Sequence, residues 1–207
     1  MKKTFLITVC CAILLAISPI AHSADGLYVS GIGGVPFPYI SYSYLTDDVI
    51  TQGAKVDLDL DVGYLYGGAI GYRFLDKFRI EEEITYQKND IEKEGAQPAL
   101  GEISTLAILL NGYYDFATEE SVYRPFLSVG IGYATVETIL TTGSPIRLAG
   151  QDAIFTYQVG IGLGYAINEK VTLDFRYRFQ EYSDPDYGST ELNYTMNNFL
   201  IGIRVDF

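Results

Sequence analysis

From Val171 to Phe179 the chain alternates strictly: Val171, Leu173, Phe175, Tyr177 and Phe179 share one parity, with Thr172, Asp174, Arg176 and Arg178 between them. A period of two is that of a β-strand with one apolar and one polar face. The final segment repeats the pattern, with Phe199, Ile201, Ile203, Val205 and Phe207 on one face and Asn198, Leu200, Gly202, Arg204 and Asp206 on the other. Between Val56 and Phe74, Val62, Tyr64, Tyr66, Ile70 and Tyr72 oppose Asp57, Asp59, Asp61, Gly63, Gly67, Gly71 and Arg73. Similar faces recur from Phe78 to Gln87, Ser104 to Phe116, Tyr123 to Val136 and Ile154 to Ile167. A first strand, about Gly26 to Val35, carries a pattern diluted by Gly31, Gly33 and Gly34. The spacing predicts eight strands and no helix.

The expected connections alternate in length. Short ones fall near Leu75-Asp76-Lys77, Ala117 to Ser121 and Asn168-Glu169-Lys170, and long ones at about 36–55, 88–101, 137–152 and 183–191. Short turns at one end and long loops at the other are the pattern of a membrane barrel. Pro36, Pro38, Pro98, Pro145 and Pro185 fall in the expected loops, and Pro125 opens a strand, where a lost backbone donor is tolerated. The predicted fold is all-β: an eight-stranded antiparallel up-and-down transmembrane β-barrel of the outer-membrane type.

The first 23 residues read as a cleavable export signal, with Lys2 and Lys3, an apolar stretch from Phe5 to Ile20, and Ala21-His22-Ser23 before Ala24. Cys10 and Cys11 lie inside that apolar stretch, too early for a lipidated cysteine. Residues 24–207 then form one barrel domain, and no later apolar run is long enough for a membrane helix. Export would remove both cysteines and the single histidine, excluding disulfides, thiolate metal sites and the commonest general base. It leaves twelve basic against twenty-six acidic residues, a balance that disfavours nucleic acid as a partner. No cofactor is expected.

A soluble barrel would bury its apolar face, whereas a membrane barrel turns that face to lipid and its glycines and charges inward. The second arrangement is favoured by the balance of the polar face. Arg73, Arg79, Arg124, Arg176, Arg178 and Arg204 share it with Glu81, Glu83, Asp115, Asp174 and Asp206, a set suited to pairing in a narrow lumen. Hairpin register across the Asn168 turn sets Arg176 opposite Gly162 and Arg178 opposite Gly160, leaving room for the guanidinium groups. Outward aromatics near the short turns (Phe74, Phe78, Phe116, Tyr123, Phe207) and near the long loops (Tyr64, Tyr86, Tyr133, Phe179) would form two interfacial girdles. Glu82 disagrees, because it projects toward lipid at a cost of ~1–2 kcal/mol if ionised. It faces a second subunit, carries a proton, or marks an error of register.

Other motifs carry less. Asp57, Asp59 and Asp61 resemble the start of a calcium loop, yet Val62 and Gly68 stand where such a loop needs Gly and Glu. The glycines from Gly160 to Gly164 recur with period two and precede no helix, so they are no phosphate loop. Asn193-Tyr194-Thr195 matches a glycosylation acceptor by chance composition.

Gly202, Val205 and Phe207 match the terminal signal by which the barrel-assembly machinery recognises outer-membrane proteins, although Leu200 stands where a polar residue is usual. With Gly67 to Phe74, Tyr113-Tyr114-Asp115-Phe116, Arg124-Pro125-Phe126 and Gly130 to Ala134, the chain resembles the opacity-protein and major-surface-antigen family of small porin-like barrels. The resemblance implies eight strands, periplasmic termini, assembly with periplasmic chaperones, and a role in surface antigenicity, adhesion or envelope integrity. The expectation is therefore a non-enzymatic surface protein in outer-membrane lipid, adhesin-like or envelope-structural, whose four long loops contact a host molecule or another envelope component. A narrow channel for ions or small solutes is the alternative.

Overall fold

The computed structural model describes residues 26–44, 55–94, 97–118, 120–142, 144–148, 153–183 and 190–207. The expected signal segment and residues 45–54 and 184–189 lie outside the described residues. The strands are β1 (Leu27–Tyr44), β2 (Lys55–Leu60), β3 (Tyr64–Phe74), β4 (Phe78–Glu94), β5 (Gln97–Asp115), β6 (Tyr123–Thr142), β7 (Ser144–Leu148), β8 (Ala153–Ala166), β9 (Val171–Tyr182) and β10 (Thr190–Asp206).

Every pairing is antiparallel, and β1 closes on β10 from Tyr28 opposite Asp206 to Tyr44 opposite Thr190. β2 and β3 pair end to end along β1, and so make one stave; β7 folds back only onto the top of β6. The result is a closed barrel of eight staves. At the short-turn end, Leu75 and Asp76 take left-handed conformations to reverse the chain between β3 and β4. The Asn168 side chain accepts from the amides of Lys170 and Val171, which folds the β8–β9 turn.

Two expected loops prove to be largely strand, and the expected loop at 36–55 begins as strand through Tyr44. β4 and β5 remain paired up to Glu94 opposite Gln97, and β6 runs on to Thr142 before turning into β7. Pro98 and Pro145 are therefore strand residues in tall hairpins, and Pro36 and Pro38 lie within β1. Their tolerance has a plain cause at β1. Pairing with β3 stops at Gly34 and pairing with β2 begins at Ile40, so the two prolines fall where one side of the strand has no ladder. The missing ladder reflects a break in the second predicted strand at residues 61–63, where Asp61 bonds the Val62 amide with its own carboxylate.

Period-two alternation decides the two faces throughout. Val129, Ile131, Ile161, Phe199 and Ile201 stand exposed on the outside, while Arg79, Glu83, Arg178 and Arg204 are buried inside. Apolar-out and charged-in is the reverse of a soluble barrel and matches a wall that meets lipid.

Candidate functional site

The lumen is assembled from one inward residue in two along each stave, and it fills in layers. Nearest the short turns, Arg73 pairs with Asp206 at 3.2 Å, while Arg204 lies 3.6 Å from Asp174 and 4.0 Å from Asp206. Arg124 sits at the same end, where its Nε donates to the Ser121 carbonyl at 2.9 Å. Above them Arg79 grips Asp115 with two parallel bonds of 2.7 and 2.9 Å, the fork geometry that makes arginine the strongest partner for a carboxylate.

One layer higher, Glu83 is shared. Its Oε2 accepts from Arg178 Nη2 at 2.7 Å and from Arg176 Nη1 at 3.2 Å. One carboxylate therefore holds two guanidinium groups drawn from the opposite wall of the barrel. Glu81 accepts the Tyr113 hydroxyl at 2.7 Å. Beyond the charges the bonding continues through neutral amides, with Gln158 donating to Asn111 at 2.9 Å and Gln180 to Thr156 at 3.1 Å. Every acid and base of the expected interior set thus lies within the barrel or at its short-turn mouth.

Sequence reasoning missed the aromatic filling. The Arg79 guanidinium lies 4.3 Å from the Tyr113 ring centre and 5.1 Å from that of Phe126, and Arg176 stacks on the same two rings at 5.0 and 5.7 Å. Tyr28 underlies Arg204 at 5.6 Å. Parity alone would have found these rings, since Tyr113 shares its face with Asp115 and Phe126 shares its face with Arg124. The glycines have different tenants from those expected. Gly162 does stand opposite Arg176 and Gly160 opposite Arg178. A side chain at Gly162, however, would meet the Phe126 ring, and one at Gly160 would meet Ser128 Oγ at 2.6 Å. Gly71 in the same way makes space for the Tyr28 ring.

Leu200, which departs from the terminal pattern, packs inside the lumen with Ile32 and Leu65. That cluster seats over Gly34, where an added Cβ would come within 2.6 Å of the Leu200 side chain. Met196, Ala107, Leu109 and Ala134 are also buried on the inner face. Ion pairs, stacked rings and an apolar layer together occupy the interior of an eight-stranded barrel, whose width is only enough for its own side chains.

The outer surface carries two aromatic belts. Phe74, Phe78, Tyr114 and Phe116 touch in sequence near the short turns, with centroids 5.1 to 5.8 Å apart, and Tyr123 meets Tyr165 at 5.6 Å. Toward the other end lie the pairs Tyr66–Tyr86, Tyr133–Phe155 and Tyr177–Phe199. There the tyrosine hydroxyls reach away from the apolar band, Tyr157 donating to Glu181 and Tyr177 to Asn197 at 2.6 Å each. Rings in hydrocarbon with hydroxyls in polar surroundings are the arrangement of a membrane interface.

Glu82 lies between the belts, outward, in register with Ile70 on β3 and Leu110 on β5. The register of β4 is continuous through it, so the carboxyl faces the lipid band by construction. No group of three or more His, Cys, Asp or Glu placed to hold a metal occurs among the described residues; Asp57 and Asp59 have side chains outside them.

The model of the outer membrane protein beta-barrel domain matches residues 7–207. The outer membrane protein PagN of Salmonella typhimurium is 25% identical over 240 residues, covering 99% of this chain and 100% of that protein. Among solved structures, Neisserial surface protein A superposes with a TM-score of 0.54 at 20% identity, covering 88% of this chain and 98% of the other. The Escherichia coli outer membrane protease OmpT also gives 0.54, at 9% identity, with 89% and 98% covered. At such identities these two structures establish the shared barrel and nothing about activity.

Proposed function

The chain belongs to the outer membrane protein beta-barrel domain family and lies in the outer membrane, and from that premise we propose that it is a non-enzymatic surface protein whose filled barrel mounts tall hairpins that bind a partner outside the cell. The observation that carries this reading is where the strands end. A tilted strand crosses a bilayer in roughly 9–11 residues. β4 reaches the upper aromatic belt at Tyr86 yet continues, paired, to Glu94, which projects it roughly 25 Å further at ~3.3 Å per residue. Binding residues held on paired strands cost less ordering entropy than the same residues on free loops.

Charge narrows the class of partner. The stretches between belt residues at this end, 38–63, 87–105, 134–154 and 180–196, hold fifteen acidic residues and four basic ones. Such a surface repels sulfated and phosphorylated polymers and attracts basic protein surfaces. The filled lumen favours binding over conduction, and the absence of histidine after residue 22 favours binding over hydrolysis.

Replacing residues 88–103 and 137–152 by two-residue turns is expected to leave a folded, silent barrel in planar bilayers while abolishing adhesion of expressing cells to surfaces coated with basic protein. Adhesion of the parent should weaken with salt and be absent on heparin-coated surfaces. Undiminished adhesion after hairpin replacement would remove the hairpins from the function, and reproducible conductance steps from the parent would replace the binding reading by the channel reading.

We further propose that Gly202, Val205 and Phe207 are recognised by the assembly machinery. What supports it is position: Phe207 is exposed at the seam and its amide donates to the Leu27 carbonyl at 3.0 Å, where β1 meets β10. Phe207→Ala is expected to slow folding in outer-membrane extracts several-fold while leaving spontaneous refolding into detergent unchanged. Equal slowing in both would make the ring a stabilising contact only.

A further inference from the structure

Between the two aromatic belts, Glu82 is the one Asp, Glu, Lys, Arg or His side chain on the outer wall among the described residues. It is half-buried, with Ile80 and Ile84 on either side of it along β4 and Ile70 and Leu110 in register on the neighbouring strands, and its Oε2 is shielded from solvent without a hydrogen-bond partner. Hydrocarbon supplies neither donor nor acceptor, so a carboxyl placed there needs a polar group from another molecule. On the same wall, diagonal to Glu82, Gly112 leaves a notch: a Cβ added there would meet nothing within 4 Å. The notch opens a shallow groove of about 730 Å³ lined by Phe78, Ile80, Leu110, Leu127 and Val129.

We propose that this wall, from β4 to β6, is the interface between two copies of the chain in the membrane, with Glu82 meeting Glu82 of the second copy. The geometry follows from symmetry. A two-fold axis normal to the bilayer keeps both barrels upright and sets any residue near the axis against its own copy at the same depth. The neutral carboxylic acid, the form that hydrocarbon tolerates, carries one donor and one acceptor and is therefore complementary to itself. The described outer wall offers no cation between the belts that would pair with an ionised Glu82, which leaves the self-pair as the match. Gly112 allows the close approach by receiving an aliphatic side chain of the opposite wall, the role that small residues play where membrane segments pack.

The test uses the full barrel refolded into phospholipid vesicles, with association read by energy transfer between labelled copies over a range of protein-to-lipid ratios. The parent is expected to dimerise. Glu82→Leu and Gly112→Phe should each weaken association by tenfold or more. Glu82→Gln should retain it, because an amide is likewise donor and acceptor to its own copy. The shift in gel mobility between folded and unfolded forms confirms that each variant inserts. A parent that stays monomeric, or a Glu82→Leu variant that associates like the parent, overturns the proposal. A photo-crosslinker at Ile80 in intact outer membranes supplies the second readout: a product of twice the chain's mass supports it, whereas adducts with lipid alone or with a different protein overturn it.

Discussion

Replacing Glu83 by alanine is expected to destabilise the barrel by ~3–5 kcal/mol, the cost of leaving a buried charge without its partner. The effect is large because one carboxylate serves both Arg176 and Arg178, and all three side chains are almost fully buried. Without it, two guanidinium groups on neighbouring inward positions of β9 face each other in a narrow lumen. The measurement is urea-driven unfolding in phospholipid vesicles, followed by far-ultraviolet circular dichroism and gel mobility, since the chain has no tryptophan to report fluorescence. Removing all three groups together, with Arg176→Ala and Arg178→Ala added, should return most of the lost stability, because no uncompensated charge then remains. A Glu83→Ala barrel within ~1 kcal/mol of the parent would mean that water, not the carboxylate, neutralises the pair.

Gly162→Val is the second large effect, and it acts through shape. The new Cβ would fall on the Phe126 ring and within 2.6 Å of the Phe175 carbonyl, a backbone atom of the neighbouring stave. Overpacking of this kind costs about 1–3 kcal/mol where side chains alone must yield, and more where backbone must. Here the displaced ring also supports Arg79 and Arg176, so the disturbance passes to the Asp115 and Glu83 pairs. Folding yield in vesicles should fall sharply. Phe126→Ala in the same chain should recover part of it by vacating the space, giving a favourable coupling in a double-mutant cycle. If the two changes are simply additive, the ring does not occupy the space above Gly162.

Both results concern packing that is only half visible along the chain. Alternation from Val171 to Phe179 and from Asn198 to Phe207 determines which side chains share a face, because the side-chain period of a strand is two whatever its neighbours. Hairpin register across the Asn168 turn likewise sets Arg176 opposite Gly162, a local matter of turn length. Local rules also place the short turns and the two aromatic belts. They do not say how far a strand runs once it leaves the membrane. β4, β5 and β6 exceed their expected ends because they remain paired with one another, and pairing is a property of two segments.

Partner choice across the lumen is beyond local pattern for the same reason. Glu83 on β4 and Arg178 on β9 are 95 residues apart and adjacent only because the wall closes. Parity puts Tyr28, Phe126 and Leu200 on the inner face, but only curvature brings them over Gly71, Gly162 and Gly34. The sequence by itself determined the class of the fold, the sign of each face and the identity of the interior charges, since these depend on period and composition. Only the tertiary structure decided which charge holds which, what fills the space above each glycine, and how tall the hairpins stand, since closure of the barrel sets distances that no single strand encodes.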